Sequence, residues 1–405
     1  ITGAKRGSGE EVTLKADPDS PLAALVFSTI SDPYVGKLTY FRVFSGTLTS
    51  DSSVYNSSRD KEERVGQVFY ICGKNQIPAR EITAGDIGGV AKLTETSTGD
   101  TLCQKDTSLV LPPIEFPDPI MSLAVEPKTK GDEDKLSVAL ARLGDEDPTF
   151  SVRRDTEVKQ TIISGMGETH LDIMMERMSR KFGVNVNTAL PKVPYKETIR
   201  KTARAEGKHK KQTGGRGQYG DCWIEIEPYP DGEFLFEDRI VGGVIPKQYI
   251  PAVEKGVRDA MRRGVLAGYP VVNVKCAVYD GSYHTVDSSD QAFQIAGSLA
   301  FQNAAAKANM VLLEPILKVE IIVPEDFLGD VISDLNGKRG RVMGTESAGT
   351  GRQKITALVP QAEMVRYAID LRSITRGRGR FSTEFSHYDE VPAHIAQQII
   401  ERARK

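Results

Sequence analysis

IMSLAVEPKTKGDEDKLSVALARLGDEDPTFSVRRDTEVKQTIISGMGETHLDIMMERMSRKFGVNVNT, residues 120–188, decides the fold. IMSLAVE reads as a strand, 132–143 as a helix, and TFSVRR and KQTIISG as two strands. A second helix over 168–182 and the strand VNVNT complete a β-α-β-β-α-β order. Leu171, Met174, Met175 and Met178 recur at offsets of three, four and seven, which puts them on one helix face. A methionine stripe at that spacing is core, not a cofactor box. The turn Gly165-Met166-Gly167 joins strand to helix and lacks the third glycine and the lysine of a phosphate loop, so its expected role is structural.

The same order returns later in the chain. ILKVEIIVP, a helix over 325–335, GRVMGTES, RQKITALVP, a helix over 361–371 and GRFSTEFSHY repeat it. Both copies fit the split βαβ, ferredoxin-like sandwich, which leaves one sheet face open to a partner. Upstream, residues 21–117 hold short β-type runs, among them AALVFSTI, LTYFRVFSGTL, ERVGQVFYICG and IGGVAKL. Gly, Asp and Ser turns separate them, which predicts a barrel.

Between the sandwiches lies a third kind of module. It contains a strand CWIEIEP, a helix over 246–263 with Ile250, Val253, Val257 and Met261 on one face, a strand VVNVKCAVY and the loop DGSYHTVDSSD. Ser288 with Gln291 three residues on predicts a capped start for a long Ala-rich helix. The expected division is therefore 1–20 linker, 21–117 barrel, 118–193 sandwich, 194–314 middle module and 315–405 sandwich. The fold class is multidomain α+β, and the 405-residue length agrees with two to four domains.

Composition excludes several functions. The net charge is -2, so any basic surface is local. No apolar run reaches the roughly 18 residues of a membrane helix, and no membrane partner is expected. Cys72, Cys103, Cys222 and Cys276 are far apart with no CxxC pair, which argues against a disulfide framework or a zinc module. They read as reduced cytosolic thiols. No G-x-x-x-x-G-K-[ST] occurs, so these residues carry no phosphate loop. The opening ITGAKRGSGEEV has no initiator Met and no signal-peptide pattern, and we expect it to lie inside a longer protein.

Residues 215–220, GRGQYG, match G-x-G-x-x-G, yet KHKKQTG precedes them and DCWIEIEP follows. A dinucleotide site needs a strand before the motif and a helix after it. A Gly-rich hairpin tip is the better reading. From 200 to 220, Arg200, Lys201, Arg204, Lys208, Lys210, Lys211 and Arg216 face one acid, Glu206. The charges alone would suit a solvated face. With Gly214, Gly215, Gly217 and Gly220 for close approach, and Gln218 and Tyr219 to bond or stack on a base, the tip suits nucleic acid.

Ser282, His284 and Asp287 crowd together but lack a GxSxG elbow, and a metal reading of His284, Asp287 and Asp290 lacks ligand spacing. Asp287 and Ser288 read instead as helix-start residues. Tyr283 and His284 would then be presented to a polyanion. A second basic element, RSITRGRGRF, gathers Arg372, Arg376, Arg378 and Arg380, which suits phosphate contact.

These motifs, together with DPYVGKLTYFRVFSGTL, GGVIPKQYIPAVEKGV, LNGKRGRVMG and DLRSITRGRGRFSTEFSHYDEVP, closely resemble bacterial elongation factor G in order and over nearly the whole chain. The resemblance implies a translational barrel, two ferredoxin-like domains and an intervening ribosomal-protein S5-like domain. It also implies a GTPase domain, with GTP and Mg2+, outside this chain, and no cofactor within it. Tip loops 214–220 and 282–287 would meet tRNA and messenger RNA at the decoding site of the ribosome. The last domain would face the sarcin-ricin loop, and the barrel the small subunit. A cytoplasmic monomer promoting translocation is expected, with rRNA and ribosomal proteins as partners. Asp221 after the loop, where His is common, and Thr285 depart from the housekeeping pattern and point toward a paralogue with a recycling or specialised role.

Overall fold

The computed structural model describes residues 1–32, 36–73, 75–212 and 217–403. It divides into two units, Ile1–Lys192 and Val193–Lys405.

In the first unit, eight strands form one sheet, ordered Lys61–Arg64, Ser53–Asn56, Thr101–Cys103, Ala23–Asp32, Gly36–Ser45, Ile87–Ala91, Val68–Cys72 and Asn75–Ala79. Alternating side chains drive its curvature around one interior: Val26, Phe41, Val43, Val68, Val90 and Leu102 are buried together with Leu48 and Ile82 of a separate two-stranded ladder. Residues 1–20 differ from the expected linker. Thr2–Lys5 pairs with both Glu11–Thr13 and Leu109–Val110.

The first sandwich follows the expected order. Its strands lie Ser151–Asp155, Gln160–Gly165, Met121–Pro127, Val186–Ala189, all antiparallel. The helices Glu133–Glu146 and Glu168–Phe182 bury Leu136, Ala139, Leu140 and Leu143, and Leu171, Met174 and Met178. The first of these helices runs past the expected residue 143 and ends on contacts with the barrel. Glu146 accepts the Ser31 N–H at 2.7 Å and the Lys181 ammonium at 2.7 Å.

The second unit opens with the strand Lys196–Ile199, which pairs with residues 310–313 of the long strand Met310–Pro324. That strand continues through 314/315, the expected boundary, and serves both modules. In the second sandwich it lies between Arg352–Pro360 and Arg380–Glu390, with Arg341–Ser347 outermost. The helix expected over 361–371 is two, Gln361–Met364 and Tyr367–Ile374, and the break accompanies a fully buried Tyr367 set edge-on to Phe381 at 5.2 Å. A terminal helix, Ala393–Ala403, was not expected.

The middle module is a four-stranded sheet ordered Ala203–Lys211, Gln218–Pro228, Val274–Ser282, Phe234–Asp238, the last pair parallel. Helices Ile250–Arg263 and Asp290–Lys307 cover one face. Ile250, Val253, Val257 and Met261 are buried as the helical spacing demands.

Candidate nucleic-acid interface

Strands Ala203–Lys211 and Gln218–Pro228 form a hairpin in register from Ala203 opposite Ile226 to Lys211 opposite Gln218. Its inner face is small because the helix Asp290–Lys307 lies directly on it. A Cβ on Gly207 would come within 2.0 Å of the Ala296 carbonyl oxygen, and one on Gly220 within 2.5 Å of that of Ala292. Gly220 is therefore a buried packing residue. Gly214, Gly215 and Arg216 lie outside the described residues.

The second loop docks against this hairpin. Tyr219 N–H donates to the Asp287 carbonyl at 2.9 Å, and Gly217 N–H to Asp287 Oδ1 at 3.0 Å. Ser288 Oγ accepts the His284 N–H at 2.9 Å and donates to the Tyr219 carbonyl at 3.0 Å. The helix cap is one residue later than expected, since Ser289 Oγ accepts the Ala292 N–H at 3.2 Å. Asp287 and Ser288 are thus ties between loops; the packing of Gly220 on the helix start brings them there. Tyr283 and Val286 stay exposed beside them.

Charges at the tip are sorted by the fold. Lys208 lies opposite Asp221, 3.3 Å from its Oδ2, and 5.9 Å from the centroid of the Tyr219 ring. The Asp221 carboxylate accordingly raises the Lys208 pKa, first by charge and then by hydrogen bonding. Asp221 also accepts from Ser282 Oγ at 2.7 Å, and Ser282 meets the Tyr219 hydroxyl at 2.7 Å. Gln218 bonds His209 Nε2 at 2.8 Å. The expected patch of basic residues is consequently smaller. Arg200 pairs with Glu390, and Arg204 with Glu225. Lys210 and Lys211 are exposed and, among the described residues, have no acid partner.

Farther down the open sheet face the charges cancel. Arg239 bridges Glu225 at 3.0 Å and Glu237 at 2.6 Å, while Lys275 holds Glu237 at 3.0 Å and Glu227 at 3.1 Å. Such a balanced face offers phosphates no net attraction, so basic character is concentrated at the hairpin end. The scaffold roles of Asp221 and Ser288, and this ladder, escaped the sequence reading. The alternation Arg204, Glu206, Lys208, Lys210 was the available signal for a strand with a charged open face.

The arginines of the last module form a separate surface on the turn between Tyr367–Ile374 and Arg380–Glu390. Thr375 Oγ1 accepts the Gly379 N–H at 2.8 Å and donates to the Leu371 carbonyl at 2.7 Å, closing the turn from within. Arg376, Arg378 and Arg380 are exposed around it, with Arg378 stacked 4.7 Å over Phe327.

Ser282 is engaged by Asp221 and Tyr219, and among the described residues no hydrogen bond joins it to His284. No group of three metal-ligating side chains occurs among the described residues. Burial pushes the Cys222 thiol up to about 12 and raises that of Cys276, which suits inert core thiols.

Fold and site together define a multidomain α+β protein that presents two interlocked loops at the end of one module. Family models match in chain order: elongation factor G domain 2 over 21–105, domain III over 116–190, domain IV over 191–309 and the elongation factor G C-terminus over 311–399. The chain belongs to the elongation factor G family. A crystal structure from Thermus thermophilus is similar to it at 42% identity with a TM-score of 0.78, over 95% of this chain and 58% of that one. This chain thus spans little more than half the length of that relative. No helix among the described residues is long and apolar enough to cross a membrane.

Proposed function

We propose that this chain is the ribosome-binding part of a translational GTPase that promotes movement of tRNA and messenger RNA during elongation. The observation that carries this reading is the tip, where two loops are tied together beside Lys210 and Lys211, which have no acid partner among the described residues, in a module matching elongation factor G domain IV. Lys210, Lys211 and Arg216 would neutralise phosphates, and Tyr283 and His284 would meet tRNA or messenger. The turn carrying Arg376, Arg378 and Arg380 would contact rRNA of the large subunit. GTP and Mg2+ would belong to a GTPase domain, and these residues would act by recognition and position. A cytoplasmic monomer fits this role.

Co-sedimentation with vacant ribosomes across a salt series tests the proposal. Binding that weakens steeply with salt is expected, and Lys210→Ala with Lys211→Ala should flatten the slope by about two, one for each phosphate left without its lysine. Absence of binding at low salt would overturn recognition by this chain.

A further inference from the structure

The tip reading leaves open how His284 is presented, and the hydrogen bonds of Asp287 answer it. Three groups of Asp287 work at once: Oδ1 accepts from Gly217 N at 3.0 Å, the carbonyl accepts from Tyr219 N at 2.9 Å, and the N–H donates to His284 Nδ1 at 3.2 Å. Val286 N–H also approaches His284 Nδ1, at 3.4 Å. Two amide donors aimed at Nδ1 require its lone pair, so the ring proton sits on Nε2. Asp287 Oδ2, 3.4 Å from Nδ1, could instead hold a proton there as an ion pair. A proton on Nδ1 would point at two other N–H hydrogens, and the carboxylate already receives Gly217. The amide geometry therefore wins.

We infer that Asp287 is a positioning residue: its carboxylate locks the Gly217–Tyr219 segment to the His284 loop, and its backbone N–H holds His284 as an Nε2–H donor toward nucleic acid. The donor's target is a hydrogen-bond acceptor such as a phosphate oxygen, a 2′-hydroxyl or a base carbonyl. The imidazole adds direction, while the attraction to phosphate comes from the lysines of the neighbouring hairpin. The inference rests on the tip being the nucleic-acid contact, and its first test is independent of that contact.

Two-bond 1H–15N spectra of 15N-histidine-labelled chain at mildly alkaline pH, with His284 assigned by its absence in His284→Gln, read the tautomer directly. A single Nε2–H form is expected. Both backbone donors survive in Asp287→Ala and in Asp287→Asn, so each variant should retain the single form, and the work of the carboxylate is read from binding. A protonated Nδ1 overturns the inference. Binding to ribosomes carrying tRNA and messenger gives the second readout. His284→Ala and Asp287→Ala should each weaken it about threefold to tenfold, the worth of one hydrogen bond, with Asp287→Asn near wild type. Loss with Asp287→Asn equal to that with Asp287→Ala would assign the effect to charge and overturn positioning. Binding indifferent to His284→Ala would sink the tip reading, while the spectra still decide the tautomer.

Discussion

Glu197 shows how one buried carboxylate can organise a loop. Its side chain is fully buried and accepts four backbone N–H groups: Val265 and Leu266 on one oxygen at 2.7 and 2.8 Å, Ala267 and Tyr269 on the other at 2.7 and 3.0 Å. Glu197→Gln would set an amide NH2 against two of those donors. Leaving them without an acceptor should cost roughly 3 kcal/mol or more, read as a lowered denaturation midpoint with unchanged slope. Asp147 offers a pH-dependent counterpart. Burial pushes its pKa up, but the Thr149 hydroxyl and N–H at 2.6 and 2.8 Å, and then His170, outweigh that and hold it below the ordinary value. A depressed folded pKa stabilises fully above the unfolded value of about 3.9, and the gain disappears as pH falls through the folded value. The stability gap between wild type and Asp147→Asn should therefore be constant near neutrality and close on acidification below about pH 4, followed by denaturation at each pH.

At the scale of elements, the two helices of the middle module set its thickness. Gly256 on one faces the other so closely that a Cβ would stand 1.9 Å from the Gln294 carbonyl oxygen. Gly256→Ala must force these helices apart, and a loss of about 2 kcal/mol or more is expected from overpacking, measured by chemical denaturation. Such helices were legible because apolar residues at helical spacing, as in Val253, Val257 and Met261, report a buried face without knowledge of the partner. The strand Ala203–Lys211 was not. Its glycine and lysines have little β preference, and it is a strand because nine cross-strand pairs and the overlying helix hold it. Phe234–Asp238 and Lys196–Ile199 are short strands defined by long-range neighbours, which a local pattern does not contain.

For the whole molecule, the sequence was sufficient for the repeated sandwich order and for locating the paired loops. Its reading of individual site residues was coarser, because a residue's role depends on what lies across the sheet. Lys208 counts as a free cation in one dimension and as the partner of Asp221 in three. Asp221 likewise moves from a departure in a motif to a buried member of the tip's scaffold. The same holds where the middle module meets the last one. Glu314 is buried in the long strand and receives Arg339, which also binds Glu363 at 2.9 Å. Burial, followed by the Glu314 charge, pushes the neighbouring Tyr195 hydroxyl up to about 12. The strand Met310–Pro324 runs through this junction, paired with Lys196–Ile199 before it, with Arg380–Glu390 across it and with Arg352–Pro360 beyond it. The middle module is thus joined to the last through one continuous strand and not through a loop.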